Sequence, residues 1–188
     1  MGYSSAGVVL ACGEGVQSFK PGDRVASNGP HAGVVCVPKH LCAHVPQSVP
    51  FDHAAFGVLG AIALQGVRLS RVSLGETVLV IGLGLIGQLT VALLREAGVQ
   101  VFGTDLDPAK CELATKSMGA VQARPSLTAS DVLERTRRIG ADAVIITAST
   151  KSTGPIDLAA QAVRHRGRVV LVGVVGLELD RRAFYYKE

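Results

Sequence analysis

Four residues carry the strongest chemical signal in the chain: Gly82, Gly84, Gly87 and Asp105. The glycines form a GxGxxG run directly after the apolar stretch "TVLVI" (77–81), and Asp105 follows 18 residues beyond Gly87. That spacing suits a turn that receives a dinucleotide. Gly82 permits the tight turn. Gly84 leaves no side chain between the backbone and a pyrophosphate. Gly87 lets helix and strand pack closely. Leu85 and Ile86 open the helix, whose first N–H groups and positive dipole end face the phosphates. Asp105 accepts hydrogen bonds from ribose hydroxyls and repels a 2′-phosphate, so NAD is expected rather than NADP. Glycines alone are weak evidence in a chain with 22 of them. The preceding strand, the helical stripe Ile86, Leu89, Leu93, Ala97 and the closing acid make the pattern specific. Capping of the helix near Pro108, a competing role for Asp105, falls better to Asp107.

The elements that must hold these residues alternate from Thr77 onward. Strands read at 77–81, 99–104, 142–148 and 168–173, with a weak one near 120–123. Helices read at 85–97, 108–118, 128–138 and 155–165. Gly98, Gly119, Gly140 and Gly167 follow the helices as candidate C′ residues. Pro108 and Pro155 sit in first turns, and "TASD" (128–131) has capping-box spacing. Such alternation predicts an α/β, doubly wound parallel sheet of Rossmann type with helices on both faces. Residues 2 to 47 read differently. "GVVLAC", "DRVAS", "AGVVCVP" and "CAHVP" predict short strands, and "KPGD" (20–23) a turn. A helical region from Pro50 to Leu69 connects the two. The expected organisation is an all-β segment over 1–49, a helical connection over 50–76 and a dinucleotide-binding domain over 77–188.

Composition narrows the classes. Of 188 residues, 48% are apolar, enough for a sizeable core. No apolar run reaches membrane-spanning length without a break. Net charge is +4, with arginines grouped in "RTRR" (135–138), "RHRGR" (164–168) and "RR" (181–182). Three tyrosines, five phenylalanines and no recognition motif argue against nucleic acid. Cys12, Cys36, Cys42 and Cys111 form no CxxC pair, so reduced thiols in a cytoplasmic protein are expected.

Beyond the glycine run, several stretches together resemble the medium-chain dehydrogenase/reductase superfamily, the zinc-type alcohol dehydrogenase relatives. They are "GYSSAGVV" (2–9), "FKPGDRV" (19–25), "HAGVVCVP" (31–38), "LGETVLVIGLGLIGQLTVALLREAG" (74–98) and "HRGRVVLVGV" (165–174). "GYSSAGVV" and "AAFGVLGAIALQGVRL" (54–69) further resemble a zinc-less subgroup in which this half precedes a second, glucose–fructose-oxidoreductase-like half. The resemblance implies hydride transfer between a nicotinamide cofactor and a small carbonyl or alcohol substrate. It makes residues 1–49 part of a GroES-like segment. It gives Lys110 to the adenosine ribose, Ala148 and Ser149 to the nicotinamide cleft, and the backbone of Gly173 and Val174 to the carboxamide. It also implies a homo-oligomer, a last sheet strand beyond residue 188 and a further oxidoreductase half in the same polypeptide. A fragment of that kind is expected to bind cofactor without turnover. Two rival readings stay open: a non-catalytic nucleotide-binding or scaffold module, and an NADPH-dependent quinone-reductase-like enzyme.

Departures from the family pattern bear on the chemistry. Where the family has a zinc ligand and its neighbour, His-Glu, this chain has Tyr3 and Ser4, and Gly57 falls where a later ligand would stand. The four-cysteine lobe is absent. Cys36, Cys42, His31, His40, His44 and His53 are the remaining donors, and zinc needs three or four converging. No metal is therefore expected. Tyr3 could donate a proton, but an ordinary tyrosine is a poor acid at neutral pH and reads better as a space filler. No residue is assigned a catalytic role.

Overall fold

The computed structural model describes residues 2–187. They divide into two compact units, one up to Ala61 and one from Ile62 onward.

The first unit is built on an antiparallel sheet of β1 (Ser5–Val8), β2 (Arg24–Ser27) and β3 (Cys42–His44), in that order. The "KPGD" turn forms as the sequence predicts: Lys20 N–H donates to Asp23 Oδ2 at 2.9 Å, and Asp23 N–H to Lys20 C=O at 3.1 Å. The strand expected over 32–38 does not form. Its valines favour extended backbone, but a strand needs a ladder partner, and no described residue pairs with it. Val34 is left 73% exposed. Helix α1 (Phe51–Ala54) follows Pro50, and α2 (Gly57–Ser70) carries the chain across the boundary between the units. The Arg24 guanidinium lies 4.3 Å over the Phe51 ring, a cation–π contact that anchors α1 on this unit.

The second unit alternates strand and helix: β4 (Thr77–Ile81), α3 (Leu85–Glu96), β5 (Gln100–Thr104), α4 (Pro108–Lys116), β6 (Gln122–Ala123), α5 (Ala129–Arg135), β7 (Ala141–Ile146), α6 (Gly154–Ala162), β8 (Val163–Leu171) and α7 (Arg181–Tyr185). The strands make one parallel sheet in the order β6-β5-β4-β7-β8. Successive strand side chains point to opposite faces, so each strand feeds two cores. Val78, Val80, Val101 and Ile145 pack on one face with Val91 and Leu94 of α3 and Cys111 and Ala114 of α4. Leu79, Ile81, Phe102, Val144 and Ile146 pack on the other with Val132 of α5 and Ile156 and Ala159 of α6. Burial on both faces explains why "TVLVI" reads as an unbroken apolar run.

Local signals hold at most helix ends. Asp107 caps α4 by accepting from Ala109 N–H, and Thr128 with Asp131 forms a capping box on α5. Gly98, Gly119 and Gly140 take left-handed conformations after their helices. Gly167 does not. Helix α6 ends at Ala162 and runs directly into β8, whose pairing with β7 shifts register between Ala141 and Ala143. Arg166, not Gly167, takes the left-handed conformation there, at φ 55°. Gly167 serves instead for close approach, since a Cβ would sit 2.5 Å from Val163 Cγ2. No described helix is long and apolar enough to cross a membrane.

Candidate functional site

The sheet reverses its winding between β4 and β7. Parallel sheets open a crevice at such a point, outside the carboxyl ends of their strands. The glycine turn leaves the end of β4 there. Gly82 has φ 95°, and a Cβ on it would lie 2.5 Å from Ala148 N. A Cβ on Gly87 would lie 2.0 Å from Gly82 C=O, so α3 crosses the turn in contact with its backbone. Gly84 is the opposite case. It caps α3 with φ −66°, and a Cβ there would meet nothing within 4 Å. The steric demand at Gly82 and Gly87 comes from the protein, and the open side of the turn lies at Gly84. Leu85 and Ile86 begin the helix beside it, where first-turn N–H groups lack helical carbonyl partners.

Asp105 stands at the end of β5 and is tied to this turn. Leu83 N–H donates to its Oδ2 at 2.7 Å, and Asp107 N–H to its Oδ1 at 3.0 Å. Lys110 Nζ lies 3.6 Å from Asp105 Oδ1 and 3.8 Å from Asp107 Oδ2. Burial pushes the Asp105 carboxyl up, but the two N–H groups and the Lys110 ammonium outweigh it and hold the pKa below its ordinary value. Asp105 is therefore an anion at neutral pH. With two carboxylates and one ammonium, the trio carries a net charge of −1.

The other side of the crevice comes from the loops after β7 and β8. The Thr147 and Ala148 N–H groups both donate to Ile81 C=O, at 2.9 and 3.0 Å, and the Thr147 hydroxyl donates to Gly82 C=O. A Cβ on Gly173 would lie 2.0 Å from Ala148 C=O. Ala148 is thus packed between Gly82 and Gly173, and the three loops form one contiguous rim. Ser149 and Val174 lie on that rim and are exposed, Val174 by 78%. Thr150 N–H donates to Val174 C=O at 2.9 Å, joining the two loops.

All eleven residues expected around a cofactor lie at these carboxyl ends or on the first turns of α3 and α4. Three further residues that hold the turn and its neighbours together escape a sequence reading. Leu83 and Thr147 act through backbone and hydroxyl contacts; the only trace is a polar residue closing the apolar run "AVIIT". Gln88 is a polar residue one position past the motif.

No three His, Cys, Asp or Glu side chains among the described residues converge. His44 Nε2 is bonded to Ser18 C=O at 3.0 Å and its ring stacks on Phe19. Tyr3 is half-exposed, and the neighbouring Ser4 hydroxyl donates to Ala55 C=O. These residues do not fit a zinc ion.

The profile of the zinc-binding dehydrogenases matches residues 86–187, more than half of the chain. The chain belongs to that family, among the medium-chain dehydrogenase/reductases. (R,R)-butanediol dehydrogenase of Bacillus subtilis is 28% identical over 219 aligned residues, covering 100% of this chain and 63% of that protein. A mycobacterial protein solved in complex with NADPH superposes with a TM-score of 0.83 at 28% identity, covering 98% of this chain and 60% of that one. A quinone oxidoreductase of Pseudomonas syringae superposes with a TM-score of 0.82 at 27% identity, covering 100% and 60%. The chain spans less than two thirds of the length of each.

Proposed function

We propose that this chain is the NAD(H)-binding portion of a zinc-independent, alcohol-dehydrogenase-like oxidoreductase acting on a small carbonyl or alcohol. The nicotinamide cofactor supplies hydride donation or acceptance. The chain's own residues bind and orient it. The backbone of Gly82, Gly84, Leu85, Ile86 and Gly87 receives the pyrophosphate. Asp105 and Lys110 hold the adenosine ribose. Ala148 and Ser149, with the backbone of Gly173 and Val174, flank the nicotinamide. Assembly into a homo-oligomer and a further oxidoreductase half belong to the same proposal.

One observation carries this reading: Gly84 leaves the turn open beside a helix N-terminus, with an ionised carboxylate across it at the end of the next strand. An open side with nothing to fill it has no packing purpose. It suits an anionic group bound by backbone N–H donors. The net negative charge of Asp105, Asp107 and Lys110 disfavours a 2′-phosphate, which supports NAD over NADP.

A second reading has one observation in its favour. Lys110 brings a cation within 3.6 Å of Asp105, and a cation there suits a quinone-reductase-like enzyme that uses NADPH. Titration calorimetry with NADH and NADPH separates the two. The leading reading expects tighter NADH; equal affinities or tighter NADPH would favour the second. Binding of either without turnover of any carbonyl or quinone, in the complete polypeptide, would favour a non-catalytic module.

A further inference from the structure

Gln88 is 6% exposed, one of few buried polar side chains in the described residues. It lies one residue beyond Gly87, in the first turns of α3. Its Nε2 donates to Leu83 C=O at 2.9 Å and to Lys110 C=O at 2.8 Å. The amide orientation follows from these partners, because the reversed amide would set an oxygen against two carbonyl oxygens. Its Oε1 finds no donor among the described residues.

These contacts close a ring. Leu83 gives its N–H to Asp105 and takes a hydrogen bond from Gln88 on its C=O. Lys110 gives its ammonium to Asp105 and takes a hydrogen bond from Gln88 on its C=O. Asp105 and Gln88 therefore each touch the same two residues. The Asp105 side chain keeps 15% of its surface exposed, and Gln88 is buried. A buried amide with two carbonyl acceptors fixes their separation more tightly than apolar packing does, because leaving either acceptor unpaired is unfavourable.

We infer that Gln88 is a positioning residue: it sets the spacing between the glycine turn and the first turn of α4, and thereby the placement of Asp105 toward the adenosine ribose. The inference rests on the cofactor reading above. It adds that affinity for the adenosine half depends on a side chain that touches no cofactor atom.

The test uses AMP and NADH as probes in titration calorimetry, with thermal melting recorded for each variant. Gln88→Leu keeps the volume and removes both hydrogen bonds. It is expected to weaken AMP and NADH alike by about tenfold, the equivalent of one net neutral hydrogen bond. Val91→Ala, a core change on the same helix, is the control: it lowers the melting temperature and leaves AMP affinity unchanged. Gln88→Asn keeps the amide but is one methylene too short for both carbonyls, and it too is expected to weaken AMP. Lys110→Met removes another side of the ring from an exposed position, and its loss combined with Gln88→Leu is expected to be less than additive. Unchanged AMP affinity in either Gln88 variant, or strict additivity with Lys110→Met, overturns the positioning role and leaves the cofactor reading intact. Failure of the unmodified chain to bind AMP or NADH overturns the cofactor reading itself.

Discussion

The Asp105 carboxylate accepts the Leu83 backbone N–H at 2.7 Å, tying the end of β5 to the turn that leaves β4. One side chain thus braces the turn and carries a negative charge beside it. Asp105→Ser is expected to act on both. The gap between NADH and NADPH affinity narrows, because the charge that repels a 2′-phosphate is gone. Stability falls by about 1–3 kcal/mol, because the Leu83 and Asp107 N–H groups lose their acceptor. Calorimetric titration reads the first effect and denaturant unfolding the second. An unchanged preference in a folded variant would show that Asp105 only braces the turn.

Acid stability depends on a different carboxylate. The Arg124 guanidinium, joined by the N–H and hydroxyl of Thr128, holds the Asp131 carboxyl down to about 2. A carboxyl whose folded pKa lies below its unfolded value of about 3.9 contributes stability above that value. The contribution disappears as pH falls through the folded pKa. The unmodified chain is therefore expected to exceed Asp131→Asn by a constant margin above about pH 5, and the margin closes between about pH 5 and 1. Circular dichroism during urea unfolding at a series of pH values checks this. A margin that persists undiminished at about pH 1 would assign it to helix-cap geometry and not to charge.

The glycines of the turn separate by what a methyl group would meet. Gly87→Ala drives a Cβ onto Gly82 C=O and is expected to lower stability by about 1–3 kcal/mol through overpacking. Gly84→Ala meets no protein atom and suits φ −66°, so the melting temperature should hold while cofactor affinity falls. Scanning fluorimetry and calorimetry on the pair decide it. Equal melting losses, or a Gly84→Ala chain that binds NADH normally, would remove the open side of the turn from the cofactor site.

The parts of this architecture legible in the sequence are those set by local rules. Burial on both faces made β4 an apolar run, and Asp107, Thr128 and Asp131 announced helix starts that formed as read. The misreadings fall where a distant partner decides. Residues 32–38 are valine-rich like a strand but find no partner among the described residues. The left-handed position near the start of β8 went to Arg166 and not to Gly167, because the register shift against β7 sets the backbone there. Gln88 and Thr147 act across the turn, through contacts that no spacing along the chain encodes.

Zinc content is the remaining test, in a family named for that metal. In this chain His44 Nε2 is engaged by Ser18 C=O, and burial pushes the Cys42 thiol up, away from the thiolate that a metal binds. No three donor side chains converge among the described residues. A structural zinc would couple metal loss to unfolding. The chain, purified without a metal-binding tag, is therefore expected to carry substoichiometric zinc by plasma mass spectrometry. Its melting curve should not move on dialysis against a chelator. One tightly held zinc per chain, with a melting temperature that falls on chelation, would overturn the zinc-independent reading and direct mutagenesis to Cys36 and Cys42.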